Sequence, residues 1–272
     1  MTLECMTPTP TLAVAPPQAA RRAAPPQAGP LRVLHASRRP ALVLVAHGSR
    51  DPSAGAEIAR LLERLRAARP ELDVRLAHLG LNAPLLPDVL DGLVGRAVLV
   101  PLLLSRGYHA KVDIPGALAA APQVTGAIAA PLGPHPLLAE ALHARLTEAG
   151  WHRGADGRDA VVLAASGSRD AEAALDTEEQ ARLLALRLGV PVRPGYVAAG
   201  GPSVAEAVSA FHAEGRRVAV AGYFTAPGDF ARLAAAAGGD LASAALGAHD
   251  AMVRLVLERY RACVPALLPA AA

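Results

Sequence analysis

The stretch ALVLVAHGSRDP at residues 41–52 decides the fold of this chain. Its first six residues are all apolar and of strand length, which is typical of a strand that is buried on both faces. A polar turn follows, and then Asp51 and Pro52 are typical of a helix start, with aspartate as the cap and proline at the first helical position. The order strand, turn, helix indicates a parallel sheet covered by helices.

Short apolar runs and helical patterns keep alternating after this unit. We predict further strands near Asp73–Leu79, at Ala97–Leu104 and at Val124–Ala130. Apolar residues recur with helical spacing between the strands, at Ile58, Leu61, Leu62 and Leu65, at Leu86, Val89, Leu90 and Leu93, and at Leu137, Leu138, Ala141 and Leu142. Right-handed crossovers would join these elements into a doubly wound domain.

The chain contains this unit twice. The turn HGSRD at 47–51 is answered by SGSRD at 166–170, after a second apolar run, AVVLAA at 160–165. The segment LGPHPLLAEALHARL at 132–146 is answered by LGAHDAMVRLVLERY at 246–260. Two ordered matches with the same element order predict an α/β fold made of two duplicated, doubly wound parallel-sheet domains.

Composition divides the chain into five segments. We predict a disordered Pro/Ala/Arg-rich tail at 1–40, for which an organelle transit peptide is the alternative. A first domain at 41–149, which we predict to be the catalytic one, precedes a polar, Gly-rich linker at 150–159. A degenerate repeat domain at 160–264 and a short tail at 265–272 complete the chain.

Charge and composition exclude several classes of function. The net charge is only +3 and aromatic residues make up 3% of the chain, so no basic surface interleaved with aromatics indicates nucleic-acid binding. The longest apolar runs are of strand length, so we expect no membrane span. The two cysteines, Cys5 and Cys263, lack metal-type spacing and indicate a reducing compartment, so we expect a cytoplasmic protein.

Two loops attract attention because ligands bind beyond the carboxyl ends of parallel strands. HGSRDP at 47–52 follows the first strand and SRGYHAKVDIP at 105–115 follows the third, so His47 and His109 should lie on the same rim of the sheet. Neutral imidazole is a good ligand for divalent iron and cobalt, and it accepts a proton near neutral pH. For either histidine alone, the alternative is a turn residue that bonds to its own loop.

The second copy serves as an internal comparison for the histidines. Ser166 stands where the first copy has His47, and Phe230 stands approximately where it has His109. The fold therefore does not require this pair, which favours a functional role. His135 and His249 are present in both copies just before a helix, so we predict that they are structural residues at helix N-termini.

Cations flank both loops. Gly48 allows a tight turn, Ser49 and Arg50 offer donors to an anion, and Arg106 and Lys111 lie close to His109. Such a rim predicts an acidic ligand, such as a polycarboxylate, because arginine pairs with carboxylate in a bidentate way. Solvated surface charges are the alternative.

The stretches LVLVAHGSRDP at 42–52 and VPLLLSRGYHAKVDIP at 100–115 resemble the sirohydrochlorin chelatase family, the class II tetrapyrrole chelatases. The second half is similar to the degenerate C-terminal repeat of long, two-domain members. The resemblance implies two chelatase-like domains facing a central cleft. It also implies a lyase that inserts Fe²⁺ or Co²⁺ into sirohydrochlorin, a tetrapyrrole with eight carboxylates, on the way to sirohaem or cobalamin.

The same resemblance implies roles for individual residues. His47 and His109 would be the metal-binding and catalytic residues. The substrate would contact Gly48, Ser49, Arg50, Ser105, Arg106, Gly107, Tyr108, Lys111 and Asp113. The metal would be a co-substrate with no permanently bound cofactor, and the expected form is a monomer with pseudo-two-fold halves.

One departure concerns the metal. Many relatives carry an acidic residue in the segment that matches 79–81, where this chain has Gly80, so a third protein ligand is either absent or supplied from elsewhere.

Two other functions fit part of the pattern. Histidine phosphatases also place a histidine after the first strand of an α/β sheet, but they need an arginine directly before it, and this chain has Ala46. A metal carrier or sensor could use the same histidine pair without a tetrapyrrole. Metal titration with and without sirohydrochlorin would separate a carrier from a chelatase.

Overall fold

The computed structural model describes residues 39–267, which hold two parallel four-stranded sheets. The first sheet contains β1 (Ala41–Ala46), β2 (Val74–His78), β3 (Gly95–Pro101) and β4 (Val124–Ile128), in the order β2-β1-β3-β4. The second contains β5 (Asp159–Ala165), β6 (Val192–Tyr196), β7 (Arg217–Gly222) and β8 (Leu241–Ala242), in the order β6-β5-β7-β8. The repeated strand order confirms the predicted duplicated α/β fold.

Eight α-helices connect or flank these strands within the described residues. They are α1 (Pro52–Ala68), α2 (Leu86–Asp91), α3 (Ile114–Ala119), α4 (Pro136–Glu148), α5 (Ala171–Leu188), α6 (Val204–Ala213), α7 (Asp229–Ala235) and α8 (Asp250–Leu267). A π-helical turn, His109–Asp113, leads directly into α3. None of the helices in residues 39–267 is both long and apolar enough to cross a membrane.

The turn after the first strand of each copy starts a helix in the same way. The Asp51 carboxylate accepts from the main-chain N–H of Ser53, with Pro52 at the first helical position, as the sequence predicts. In the second copy the Asp170 carboxylate accepts from the N–H of Glu172. Equivalent caps therefore fix the direction in which the chain leaves each sheet.

The last helix of each half packs on the sheet of the other half. Helix α8 lies against β3 and β4 of the first sheet, and α4 lies against β7 of the second. The two helices also contact each other, where Arg254 forms an ion pair with Glu140. The halves are therefore interlocked by an exchange of their closing helices.

A single apolar core lies between the two sheets. It combines inward residues of the central strands with residues of α1, α4, α5 and α8, among them Leu44, Leu163, Leu61, Leu142, Leu184 and Leu255. The outer faces carry smaller clusters under α2 and α3 on one side and α6 on the other. Because the middle layer belongs to both halves, each half needs the other to bury its inner face.

The element ends differ slightly from the sequence expectation. The third strand ends at Pro101 rather than at Leu104, and the carbonyl oxygen of Leu104 accepts a hydrogen bond from Tyr223 of the second half. Strand β5 begins at Asp159, the last residue of the predicted linker, and α8 extends to Leu267, inside the predicted tail 265–272. Leu267 is buried and its carbonyl accepts from Arg96, which accounts for the longer helix. Residues 1–38 of the predicted N-terminal tail lie outside the described residues.

Candidate metal and substrate site

His47 is the first residue after β1, in a turn that depends on the next residue being glycine. Gly48 has a φ of +96°, and a Cβ at this position would collide with the carbonyl oxygen of Gly80. The N–H of Ser49 donates to Oδ1 of Asn82 at 2.6 Å. The loop after β2 therefore presses against the turn and holds it.

His109 opens the π-helical turn His109–Asp113, in a segment that the sequence predicts to be a loop. One turn later, the carboxylate of Asp113 accepts a hydrogen bond from Nδ1 of His109. In that tautomer Nε2 is free to bind a metal, and a carboxylate behind a ligating histidine is a common supporting arrangement. Single π-helical turns are also frequent at functional sites.

The structure brings the two histidines together, because β1 and β3 are neighbouring strands. Their ring centres are 4.8 Å apart and the rings are nearly perpendicular, at 81°. With metal–nitrogen bonds of about 2.1 Å, one ion bound to both rings would lie roughly 3.2 Å from each ring centre, which this spacing allows. Nδ1 of His47 lies 3.2 Å from the carbonyl oxygen of Gly48, so its Nε2 also remains available.

No third protein ligand stands beside the pair. Across residues 39–267, no group of three His, Cys, Asp or Glu side chains is arranged to hold a metal ion. A Cβ at Gly80 would meet open space, so this position supplies no side chain to the pair. Two imidazoles leave most coordination positions of an ion open to water or to a second molecule.

The histidines face a cleft of about 680 Å³ between the two halves, a volume typical of small-molecule sites. From the first half it is lined by predicted site residues, namely His47, Gly48, Ser49, Arg50, Ser105, Gly107, Tyr108 and His109. From the second half it is lined by Ser168, Tyr196, Tyr223, Thr225 and Phe230, among others. Tyr108 is 63% exposed and Phe230 is 43% exposed, so apolar surface remains available at the cleft.

The three predicted cations are placed differently. The Arg106 guanidinium binds the Asp176 carboxylate, and the Lys111 ammonium binds both Asp170 and Glu172. These contacts raise the pKa of both cations above their ordinary values, mainly through hydrogen bonds to the carboxylates. Arg50 lines the cleft and has no ion pair with any residue in the described part of the chain.

Strand register identifies the equivalent positions in the second copy. In the first sheet Ala41 of β1 pairs with Ala97 of β3, and in the second sheet the equivalent Ala160 of β5 pairs with Val218 of β7. Val218 is therefore the equivalent of Ala97, and it lies 121 positions later in the chain. The same offset places Phe230 at the position of His109, in agreement with the sequence comparison. It also places Arg232 at the position of Lys111, and Arg232 pairs with Asp51 just as Lys111 pairs with Asp170.

His135 and His249 are structural, as predicted from their presence in both copies. Nδ1 of His135 accepts from the N–H of Leu137 at 3.2 Å, and Nδ1 of His249 accepts from the N–H of Ala251 at 3.1 Å. Both side chains therefore cap helices. Burial lowers the pKa of each imidazole and favours the neutral form that can accept these bonds.

Two residues near the site were not predicted from the sequence. Asp176 lies on the buried side of α5 and Tyr223 follows β7, and both contact the loop that carries His109. Asp176 could have been found, because it falls at a buried position in the helical pattern of α5, where a charged residue needs a partner. Tyr223 follows an ordinary buried strand and gives no such signal.

A family model described as CbiX matches residues 41–149 and 160–263, so it covers both copies. The chain belongs to the CbiX family. This membership confirms the resemblance drawn from the two histidine loops, and it argues against a histidine phosphatase.

Individual relatives of this CbiX-family chain are distant. A curated relative from Methanococcus aeolicus, named sirohydrochlorin cobaltochelatase, is 29% identical over 79 residues, which cover 28% of this chain and 55% of the relative. The chain thus spans about half the length of the curated relatives it matches.

Two solved structures of SirB are also similar. SirB from Bacillus subtilis with Fe³⁺ is 25% identical, with a TM-score of 0.68, over 83% of this chain and 96% of that protein. SirB from Bacillus subtilis subspecies spizizenii, described as a sirohydrochlorin chelatase in complex with cobalt, is 23% identical, with a TM-score of 0.67, over 84% and 96%. The similarity to the cobalt-bound SirB structure shows that this chain has the same fold.

Proposed function

We propose that this chain inserts a divalent metal ion, Fe²⁺ or Co²⁺, into sirohydrochlorin. The observation that carries the proposal is the His47–His109 pair, whose ring centres lie 4.8 Å apart on a cleft lined by both halves. Membership of the CbiX family supports it, and so do the names and bound metals of the chelatase relatives.

The two histidines would bind the incoming ion, and the four inner nitrogens of the macrocycle would then replace them. Two N–H bonds of the macrocycle break and their electron pairs stay on nitrogen, so two protons must leave. One imidazole, once it has released the metal, can accept a proton as a general base, and the other proton passes to water. A site with only two protein ligands holds the ion weakly enough for this transfer.

The substrate would be held by its carboxylates. Arg50 is the strongest candidate for a carboxylate partner, because it lines the cleft without an ion pair in the described part of the chain. Main-chain and hydroxyl groups of Gly48, Ser49, Ser105 and Gly107 and the ring of Tyr108 would complete this side. Arg106 and Lys111 were predicted for the same task, but the geometry favours a role in joining the halves.

Asp113 would act behind His109 rather than on the substrate. Its carboxylate accepts a hydrogen bond from Nδ1 of His109, so it fixes the ring orientation and the tautomer that leaves Nε2 available. The metal remains a co-substrate in this scheme, because it leaves with the product.

The test is an anaerobic insertion assay with sirohydrochlorin and either Fe²⁺ or Co²⁺. We expect the wild type to convert the tetrapyrrole spectrum faster than the uncatalysed reaction, and His47→Ala and His109→Ala to lose most of this rate. His152→Ala, which alters an exposed histidine in the linker, is the matched control and should keep full activity. Full activity in both site variants would show that the histidines are not the site.

The same assay separates a chelatase from a metal carrier or sensor. A carrier would bind Co²⁺ through the histidine pair and leave the tetrapyrrole spectrum unchanged. A comparison of the two metals at equal concentration determines which one the chain prefers, since imidazole suits both.

A further inference from the structure

The loop that carries His109 is held by the second half of the chain before it reaches the histidine. The Tyr223 hydroxyl donates to the carbonyl oxygen of Leu104 at 2.9 Å. The N–H of Arg106 donates to Oδ2 of Asp176 at 2.8 Å. The second half thus supplies one donor, the Tyr223 hydroxyl, and one acceptor, the Asp176 carboxylate, that bind the main chain within five residues of His109.

Asp176 also binds the side chain of Arg106. Nη2 of Arg106 donates to Oδ1 at 2.7 Å, and Nε lies 3.1 Å from both carboxylate oxygens. The Asp176 side chain is only 2% exposed, whereas that of Arg106 is 50% exposed. A buried carboxylate that receives three donors from one residue fixes both the main chain and the side chain of that residue.

A third contact follows the histidine. Nζ of Lys111 lies 2.6 Å from Oδ2 of Asp170 and 2.6 Å from a carboxylate oxygen of Glu172. The second half therefore contacts the loop on both sides of His109.

The turn that carries His47 is held mainly by its own half. Its close contacts are with Gly80 and Asn82, both in the loop after β2, and the Asp51–Arg232 ion pair adds one link to the second half. The loop that carries His109 is attached to its own half at Leu103, which accepts from the N–H of Leu132, but the second half adds contacts on both sides of the histidine. The distance between the two rings therefore depends in part on how the second half holds this loop.

We propose that Asp176, in the copy that has lost its histidines, is a positioning residue for His109. It fixes the loop at Arg106 so that the two imidazoles can bind the same ion. The half without metal ligands would thus complete the site by holding the loop of the other half, in addition to burying the inner face of the first sheet. The proposal rests on the proposed function for the role of the histidines as metal ligands.

The test is a Co²⁺ titration of the full chain without tetrapyrrole, followed by optical absorption under anaerobic conditions. We expect Asp176→Asn to weaken Co²⁺ binding about tenfold and to change the Co²⁺ spectrum, since supporting groups behind metal ligands have effects of this size. Tyr223→Phe, which keeps the ring and removes the hydroxyl, should weaken binding in the same direction. In the insertion assay the KM for the metal should rise more than kcat falls.

Glu140→Gln is the matched control. It removes an ion pair between the two halves, with Arg254 on α8, in which neither histidine loop takes part. It should change thermal stability and leave Co²⁺ affinity as in the wild type. This separates positioning of the loop from a general loosening of the two halves.

The outcomes distinguish the two proposals. If Asp176→Asn and Tyr223→Phe are folded and bind Co²⁺ like the wild type, the positioning role is wrong while the histidine site stands. If Asp176→Asn does not fold, Tyr223→Phe alone decides the matter. If His47→Ala and His109→Ala also leave Co²⁺ binding unchanged, the proposed function fails and the positioning role fails with it.

Discussion

Arg145 and Arg259 make the same contact in opposite directions across the protein. Arg145 on α4 donates to the carbonyl oxygen of Leu246 at 3.2 and 3.0 Å. Arg259 on α8 donates to the carbonyl oxygens of Pro131 at 2.9 Å and Leu132 at 3.0 Å. Leu132 and Leu246 start the two matching segments, so the reciprocal contacts follow the duplication.

Loss of the Arg259 contact should destabilise the whole chain. In Arg259→Ala two main-chain carbonyls lose their donor, so we expect the free energy of unfolding to fall by about 1–3 kcal/mol. Urea denaturation measures this value. Arg261→Ala is the control, because Arg261 is exposed and its Nε contacts only the carbonyl of Leu257 on its own helix. Equal losses in the two variants would contradict the role of the reciprocal contact.

Alanine at either turn glycine, Gly48 or Gly167, should lower the stability of the chain by a similar amount, but only one of the two substitutions should affect metal binding. Gly48 and Gly167 have φ angles of +96° and +87°, and a Cβ would collide with the carbonyl oxygens of Gly80 and Ala199. We expect either substitution to cost about 1–3 kcal/mol of stability. Only Gly48→Ala should also reduce Co²⁺ binding, because only that turn carries a histidine.

Gly55→Ala gives the opposite sign and serves as the control for these variants. Gly55 lies inside α1 with open space around its Cβ position, so alanine should stabilise the chain by up to about 1 kcal/mol. Thermal denaturation of all three variants is the measurement. A destabilised Gly55→Ala would contradict the expected gain in helix propensity, and stable variants at Gly48 or Gly167 would contradict the collisions.

Stability should fall as the pH falls below about 6.5, the ordinary pKa of histidine. Burial lowers the pKa values of His135 and His249 in the folded chain, so the unfolded chain takes up protons first. Their contribution to stability is therefore complete above pH 6.5 and is lost as the pH falls toward their folded pKa values.

The double variant His135→Asn/His249→Asn tests this dependence, because asparagine also caps helices but does not titrate. Urea midpoints at about pH 7.5 and pH 5.0 should differ less in this variant than in the wild type. His152→Asn, in the exposed linker, should leave the difference unchanged. A double variant with the wild-type pH dependence would assign that dependence to other groups.

The second copy should accept a metal once its histidines are restored. Ser166→His/Phe230→His places a pair at the positions equivalent to His47 and His109, and we expect the Co²⁺ stoichiometry to rise from one to two per chain. The new site should bind about tenfold or more weakly, because Ala234 stands where Asp113 supports His109. The single variants should remain at one ion, and a double variant that also remains at one would refute the equivalence.

The sequence predicted the fold because its signals are local. Strand β1 and the Asp51–Pro52 helix start follow from neighbouring residues, and the repeat of the turn revealed the duplication. The rule that ligands bind at the carboxyl ends of strands was enough to place His47 and His109 on one rim. The helix caps at His135 and His249 were predicted by comparing the two copies.

The contacts between the halves could not be predicted in the same way. Arg106 and Lys111 were interpreted as partners of a substrate because they flank His109 in the sequence. Their carboxylate partners, Asp176 and Asp170, lie in the other copy. A local sequence pattern cannot predict a contact between residues so far apart in the chain. The π-helical turn at His109–Asp113 likewise has no local pattern that predicts it.

The exchange of closing helices has a consequence for biosynthesis on the ribosome. Helix α8, which covers β3 and β4, is the last element of the second half, so the first sheet lacks its cover until the second half has left the exit tunnel. The histidine pair belongs to the half that is made first, yet its loop acquires its anchors only when the second half has emerged. Metal binding would thus have to wait until the second half has emerged, and nascent chains stalled before α8 should expose the apolar inner face of the first sheet to chaperones.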